Sequence, residues 1–194
     1  MGMRLGLWVL LAAAAWSAGG CGQPTVLLNR DELTGLRRVA VLEFSGMTAE
    51  GARPGDALAN AVVKWIGLDL PGRLEVKERS QVEKVLDEWK AQEAGLTDGG
   101  VQKLGRQLGV DAVVLGDTLQ YSKDKVYKRG VIGGRFVPFY NVGAGMRIVS
   151  VSDARVVYSC TAESLGQSSL TDAADDVARQ LLAPLVIGLN GGRR

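Results

Sequence analysis

The sequence predicts an α/β domain built on a mixed β-sheet with crossover helices, in the order β-α-β-α-α-β-β-β-α. Three observations carry that prediction. Arg37 to Phe44 (RRVAVLEF) is apolar on both faces, as a strand covered on each side must be. Gly55 to Leu70 then places Leu58, Ala61, Val62, Trp65 and Ile66 on one helical face and stops at Pro71-Gly72, which makes a strand and its crossover helix. Near the C-terminus, Gly143 to Val151 and Arg155 to Glu163 read as two antiparallel strands joined around Ser152-Asp153-Ala154.

The remaining elements fall between these. Arg73 to Glu78 alternates Leu74 and Val76 with charges, giving a half-exposed strand. Ser80-x-x-Glu83 has the spacing of a capping box, in which the serine oxygen accepts a first-turn N–H and the glutamate reaches back. Val82, Val85, Leu86 and Trp89 form the stripe of the helix it would open, with Gly95 as its stop. Asp98 can cap a third helix carrying Val101, Leu104 and Leu108, closed by Gly109. Val110 to Leu119 is another buried strand. Thr171 or Asp172 would start a last helix with Val177, Ala178, Leu181 and Leu182 inward, which Pro184 should kink or end.

Composition limits the chemistry. The 194 residues, 46% hydrophobic and 23% charged, suffice for one well-cored domain. A net charge of +2 gives no global reason to expect nucleic acid. Histidine is absent, which removes Ser-His-Asp triads, Cys-His pairs, His-ligated zinc and imidazole acid/base catalysis. The expectation is a protein that binds or assembles, with no catalytic residue, no metal and no cofactor.

The first residues carry an address. Arg4 precedes an unbroken apolar run from Leu5 to Trp16, and Ser17 to Gly20 are small, so residues 1–20 read as a secretory signal. Twelve helical residues rise roughly 18 Å, short of a hydrocarbon core about 30 Å thick. Ala18-Gly19-Gly20-Cys21 resembles the bacterial lipobox, whose cysteine is lipidated and becomes the mature N-terminus; an ordinary signal followed by a free thiol is the other reading. Gly22, where some lipoproteins carry Asp, implies by the same resemblance the periplasmic face of the outer membrane. Residues 21–35 then read as a lipidated cysteine and short tether, and 36–190 as one domain. Cys160, in the strand-like Val156 to Cys160, is a small core residue.

Four segments carry a family resemblance: Val39-Ala40-Val41-Leu42-Glu43-Phe44, Val76-Lys77-Glu78-Arg79, Leu108-Gly109-Val110-Asp111-Ala112-Val113-Val114-Leu115-Gly116, and Met146-Arg147-Ile148-Val149-Ser150-Val151. In that order, over roughly Leu36 to Leu189, they resemble the CsgG-like superfamily. It includes curli-secretion lipoproteins, holdfast-anchor proteins and LpoB-type activators of penicillin-binding proteins. The resemblance implies a periplasmic domain, a homo-oligomer and an envelope or cell-wall partner; for curli-type members it implies rings whose pore takes two β-hairpins from each subunit. This chain departs from that plan. It has one insertion, Tyr121 to Asn141, while Ser164 to Leu170 is too short for a second membrane hairpin of two strands of about 9–11 residues. LpoB-type proteins lack pore hairpins but carry a long, proline-rich tether, unlike residues 21–35.

Other motifs have plainer readings. Glu78-Arg79 are adjacent in a strand and point to opposite faces, so a structural role at the strand-to-helix junction is expected. Ser122-Lys123-Asp124-Lys125 matches S-x-x-K without its S-D-N and K-T-G companions. Gly99-Gly100 and Gly133-Gly134 lack a phosphate-loop context and read as turn and cap glycines. Asp175 and Asp176 do not share a helix face.

The informative exception is the insertion. Lys123, Lys125, Lys128, Arg129 and Arg135 face a single Asp124, interleaved with Tyr121, Tyr127, Phe136, Phe139 and Tyr140. Cations beside aromatics suit a partner surface, a lipid headgroup layer or a glycan strand, against the alternative of a solvated hairpin. The sequence therefore points to a non-enzymatic lipoprotein on the periplasmic face of the outer membrane, accessory to an envelope assembly or secretion machine. A curli-type channel subunit and an LpoB-like activator are the alternatives.

Overall fold

The computed structural model describes residues 26–46, 52–90, 98–130 and 133–190. The expected signal, Cys21 and the Gly95 stop lie outside them. The elements run β1 (Leu27–Leu28), α1 (Arg30–Gly35), β2 (Arg38–Val41), β3 (Ser45–Gly46), α2 (Pro54–Asp69), β4 (Glu75–Val76), α3 (Arg79–Lys90), α4 (Asp98–Leu108), β5 (Ala112–Gly130), β6 (Gly133–Ser150), β7 (Val156–Gln167) and α5 (Leu170–Asn190). They form a mixed sheet of strand order β1-β7-β6-β5-β2-β4, with β3 pairing β5 beyond the end of β2. β2 is parallel to β4 and β5, whereas β5, β6, β7 and β1 are antiparallel neighbours.

The two-sided apolar character of β2 is used as expected. Val39 and Val41 join the core beneath α2 and α5, while Ala40 and Leu42 join the one beneath α3 and α4. The helical stripes point the same way: Leu58, Val62 and Ile66 from α2 and Val177, Ala178, Leu181 and Leu182 from α5 are buried on the first side, and Val82, Leu104 and Leu108 on the second. Glycines let the layers approach. A Cβ on Gly55 would sit 2.0 Å from the Phe44 carbonyl oxygen, and one on Gly116 would sit 2.2 Å from the Phe44 ring.

Several local expectations need correction. The segment read as tether is structured from Leu27: β1 pairs with β7, α1 follows, and Leu33 is 2% exposed. Its apolar residues are too few to show a period, but the sheet edge and α5 give them a surface to bury against. Ser80-x-x-Glu83 is no capping box, because α3 begins at Arg79 and the Glu83 carboxylate accepts from the Arg79 Nε at 2.8 Å. Asp98 is the first residue of α4 rather than its cap. α5 is capped by Ser169, whose oxygen accepts the Asp172 N–H at 3.0 Å, so it starts before Thr171. Pro184 does not end α5, which continues to Asn190. The strand expected over 73–78 pairs only at Glu75–Val76.

Candidate functional site: a basic aromatic arm

The insertion is the outer half of one long hairpin. β5 and β6 pair without interruption from Tyr121↔Val142 to Gly130↔Gly133, and β7 accompanies β6 only as far as Tyr140↔Gln167. Beyond that root the arm is two strands wide. It therefore has regular structure, which a disordered solvated loop would lack, although residues 123–129 are exposed. Pro138 opposes Lys125 within the ladder and costs it one donor without ending the strand.

One residue changes the alternation of β5 at the root of the arm. The register shifts between Thr118 and Gln120, leaving Leu119 as an extra residue in β5. Before this bulge the even-numbered residues of β5 face α2 and α5; after it the odd-numbered ones do, and Tyr121 packs on that core. Tyr121, Lys123, Lys125, Tyr127 and Arg129 thus share a face with Tyr140, Pro138 and Phe136 of β6. Ser122, Asp124, Val126 and Lys128 share the other with Asn141, Phe139, Val137 and Arg135.

The two faces differ chemically. On the first, three cations stand with no acid, Lys123 lies 5.7 Å from the centre of the Tyr140 ring, and Tyr127 meets Phe136 edge-on at 5.3 Å. Tyr127 and Phe136 remain 56% and 68% exposed. On the second, Asn141 donates to Ser122 at 2.9 Å and to Asp124 at 3.2 Å, while its own oxygen accepts the Gly166 N–H at 2.8 Å. Lys128 there lies 5.0 Å from the Phe139 ring. The structure thus gathers all ten sequence-selected arm residues on one hairpin and sorts them to opposite sides. Ten-residue strands have the length of a membrane strand, yet both faces carry Lys or Arg, each costing about 2–4 kcal/mol at a bilayer midplane.

The remaining motifs take structural partners. Ser122 and Lys125 lie on opposite faces of β5, so S-x-x-K assembles no nucleophile. Arg79 bonds Asn60 at 2.6 Å, Asp56 and Glu83, locking α3 to α2. Desolvation works against its charge, but the bonds to Glu83 and Asp56 outweigh it and hold the guanidinium above its usual range. Asp175 pairs with Lys64 at 2.6 Å, and Asp176 accepts separately from Gln180. Sequence reasoning missed Asp111, whose Oδ2 accepts the N–H groups of Arg37 and Arg38 at 2.9 and 2.8 Å. Partial burial opposes its ionisation, but these bonds prevail and set its carboxyl below the usual range. Asp111 borders a cleft of about 640 Å³ with Glu32, Arg106 and Asp153. Three of its acids are engaged, Asp111 with backbone and Glu32 and Asp153 with Arg155. Among the described residues, no group of His, Cys, Asp and Glu could hold a metal ion, and no helix is long and apolar enough to cross a membrane.

The family whose members are described as "Curli production assembly/transport component CsgG" matches residues 24–177. The chain belongs to the CsgG family. No curated protein matches it. Among solved structures, this CsgG-family chain is similar to a point variant of the PelC dodecamer from Paraburkholderia phytofirmans, at TM-score 0.52 and 19% identity over 84% of this chain and 98% of that one. It is also similar to lipoprotein GNA1162 from Neisseria meningitidis, at TM-score 0.51 and 12% identity over 77% and 97%. The hypothetical protein CT253 from Chlamydia trachomatis gives TM-score 0.50 and 10% identity over 80% and 99%. At these identities the shared property is the fold.

Proposed function

We propose that this CsgG-family chain is a non-enzymatic lipoprotein, anchored through Cys21 on the periplasmic face of the outer membrane, that self-associates within an envelope assembly or secretion machine. The observation that carries this reading is the arm, a regularly paired continuation of the central strands that presents cations and aromatics and encloses no reaction centre. The absence of histidine from the whole sequence, and the separation of Ser122 from Lys125, favour binding over catalysis. The family description as an assembly and transport component, the dodecameric state of PelC and the lipoprotein nature of GNA1162 support the anchored, self-associating part.

Two measurements test it. Mass spectrometry of the protein extracted from membranes should find diacylglyceryl on an N-terminal Cys21; cleavage elsewhere or an unmodified thiol removes the anchor. Light scattering of the mature chain from Gly22 at tens of micromolar should give a mass above that of the monomer, and a monomer throughout would contradict self-association. The length of the arm strands favours one second reading, a curli-type channel subunit. Conductance steps in planar bilayers would establish it, and the charged faces of the arm argue against them.

A further inference from the structure

We propose that the arm is a second membrane contact, its cationic face resting on the anionic phospholipid headgroups of the leaflet that receives the Cys21 lipid. The proposal adds the ligand class to the anchored reading and takes its geometry from it.

Charge is segregated along the chain. Residues 121–141 carry five Lys and Arg against one Asp, while residues 26–120 and 142–190 together carry 15 basic against 20 acidic residues. A negatively charged surface therefore attracts the arm and repels the body. Within the arm, Lys123, Lys125 and Arg129 project to one side with no carboxylate among them, and Asp124, held by Ser122 and Asn141, projects to the other. The exposed Tyr127–Phe136 pair stands on the cationic side. Aromatic rings beside Lys and Arg are what the headgroup layer accommodates, with rings at the boundary and charges on phosphate.

The N-terminal end of β1 faces the same end of the sheet as the arm. Leu28 opposes Tyr158 and Leu27 opposes Ser159, so β1 enters from the side of the sheet toward which β7 runs. That side is the arm root, where Gln167 meets Tyr140. Cys21 is six residues before Leu27 and lies within about 20 Å of it, and an arm of ten-residue strands reaches about 33 Å. A lipid at Cys21 thus holds the body close enough for the arm to lie on the bilayer.

The test uses the mature chain from Gly22, unlipidated, which contains every described residue. Co-sedimentation is measured with vesicles of three parts phosphatidylcholine to one part phosphatidylglycerol, and with phosphatidylcholine alone. Binding is expected to the anionic vesicles only and to weaken with added salt. Lys123→Glu with Lys125→Glu should reduce it more than tenfold, Lys128→Glu with Arg135→Glu distinctly less, and Tyr127→Ala with Phe136→Ala several-fold with little change in salt dependence. Circular dichroism melts confirm that each variant is folded. Equal binding to both vesicles, or no loss on the first reversal, overturns the proposal. So does protection of the arm from externally added protease, which would show it crossing. Arm-dependent self-association without lipid, with no vesicle binding, would assign the arm to a second copy instead. An unmodified Cys21 in the membrane-extracted protein would remove the anchor reading and leave these vesicle results unaffected.

Discussion

The hydroxyl of Tyr158, near the start of β7, donates a hydrogen bond to the main-chain carbonyl of Leu181 in α5. Tyr158 is fully buried, and burial raises its phenol far above the usual value, so it stays neutral and acts as a donor. The bond ties the sheet to α5 one turn before Pro184, where the helix lacks an N–H. Tyr158→Phe keeps the ring and removes only the hydroxyl. It should cost about 1 kcal/mol, read as a lower urea midpoint at unchanged slope. An unchanged midpoint would mean that the bond adds nothing to stability.

Phe44 is confined from two directions, and the two contacts should respond differently to the same rescue. Gly116→Ala drives a methyl into the Phe44 ring and Gly55→Ala drives one into the Phe44 carbonyl, each expected to cost about 2 kcal/mol or more. Phe44→Leu shortens the ring side chain and should recover part of the Gly116→Ala loss in a double-mutant cycle. It should recover none of the Gly55→Ala loss, because that obstacle is backbone. Equal recovery in both cycles would contradict this packing.

Asp111 fastens the start of β5 to the start of β2, and its effect has a sign in pH. Its folded carboxyl lies below the unfolded value, so its contribution is present above the unfolded pKa and disappears as pH falls through the folded one. Asp111→Ala should lower stability by about 1–2 kcal/mol near neutrality, a figure reduced for the partial exposure of the side chain. The gap between variant and wild type should close in acid below the ordinary aspartate range. A gap that persists there would mean the loss comes from packing rather than charge.

Cys160 is fully buried, and burial raises its thiol above the usual range. In the folded protein a thiol reagent should therefore modify it no faster than the domain opens, and labelling should accelerate with urea in step with unfolding. Rapid labelling of the folded domain would show that β7 opens locally.

The sequence makes the double-sided strand at Val39–Leu42 and the stripes of α2, α4 and α5 legible, because burial on a repeating lattice imposes a period. What escapes it is decided by partners distant in the chain. Leu27, Leu28 and Leu33 have no period of their own and gain order from β7 and α5. Glu83 has the spacing of a cap, yet Arg79, itself held by Asp56 and Asn60 of α2, claims it. Ser169-Leu170-Thr171-Asp172 did carry a readable start for α5, with a serine three residues before an acid. In the arm, composition alone identified the cations and aromatics, and strand alternation divides them into two sets. Which set faces which way was hidden, since Leu119 looks like any other strand residue.

Leu119 shifts the numbering of the alternation in β5 without shifting the faces themselves. Deleting this single residue would leave Thr118↔Ala144, Gln120↔Gly143 and Tyr121↔Val142 as consecutive pairs, so the ladder would run on unbroken. The three unopposed cations would stay on the side of Tyr140, and Tyr121 would keep its place against the core beneath α2 and α5. What that one codon adds is a local bend and extra twist at the root, which set the angle at which the arm leaves the sheet and not the side on which it shows its charge.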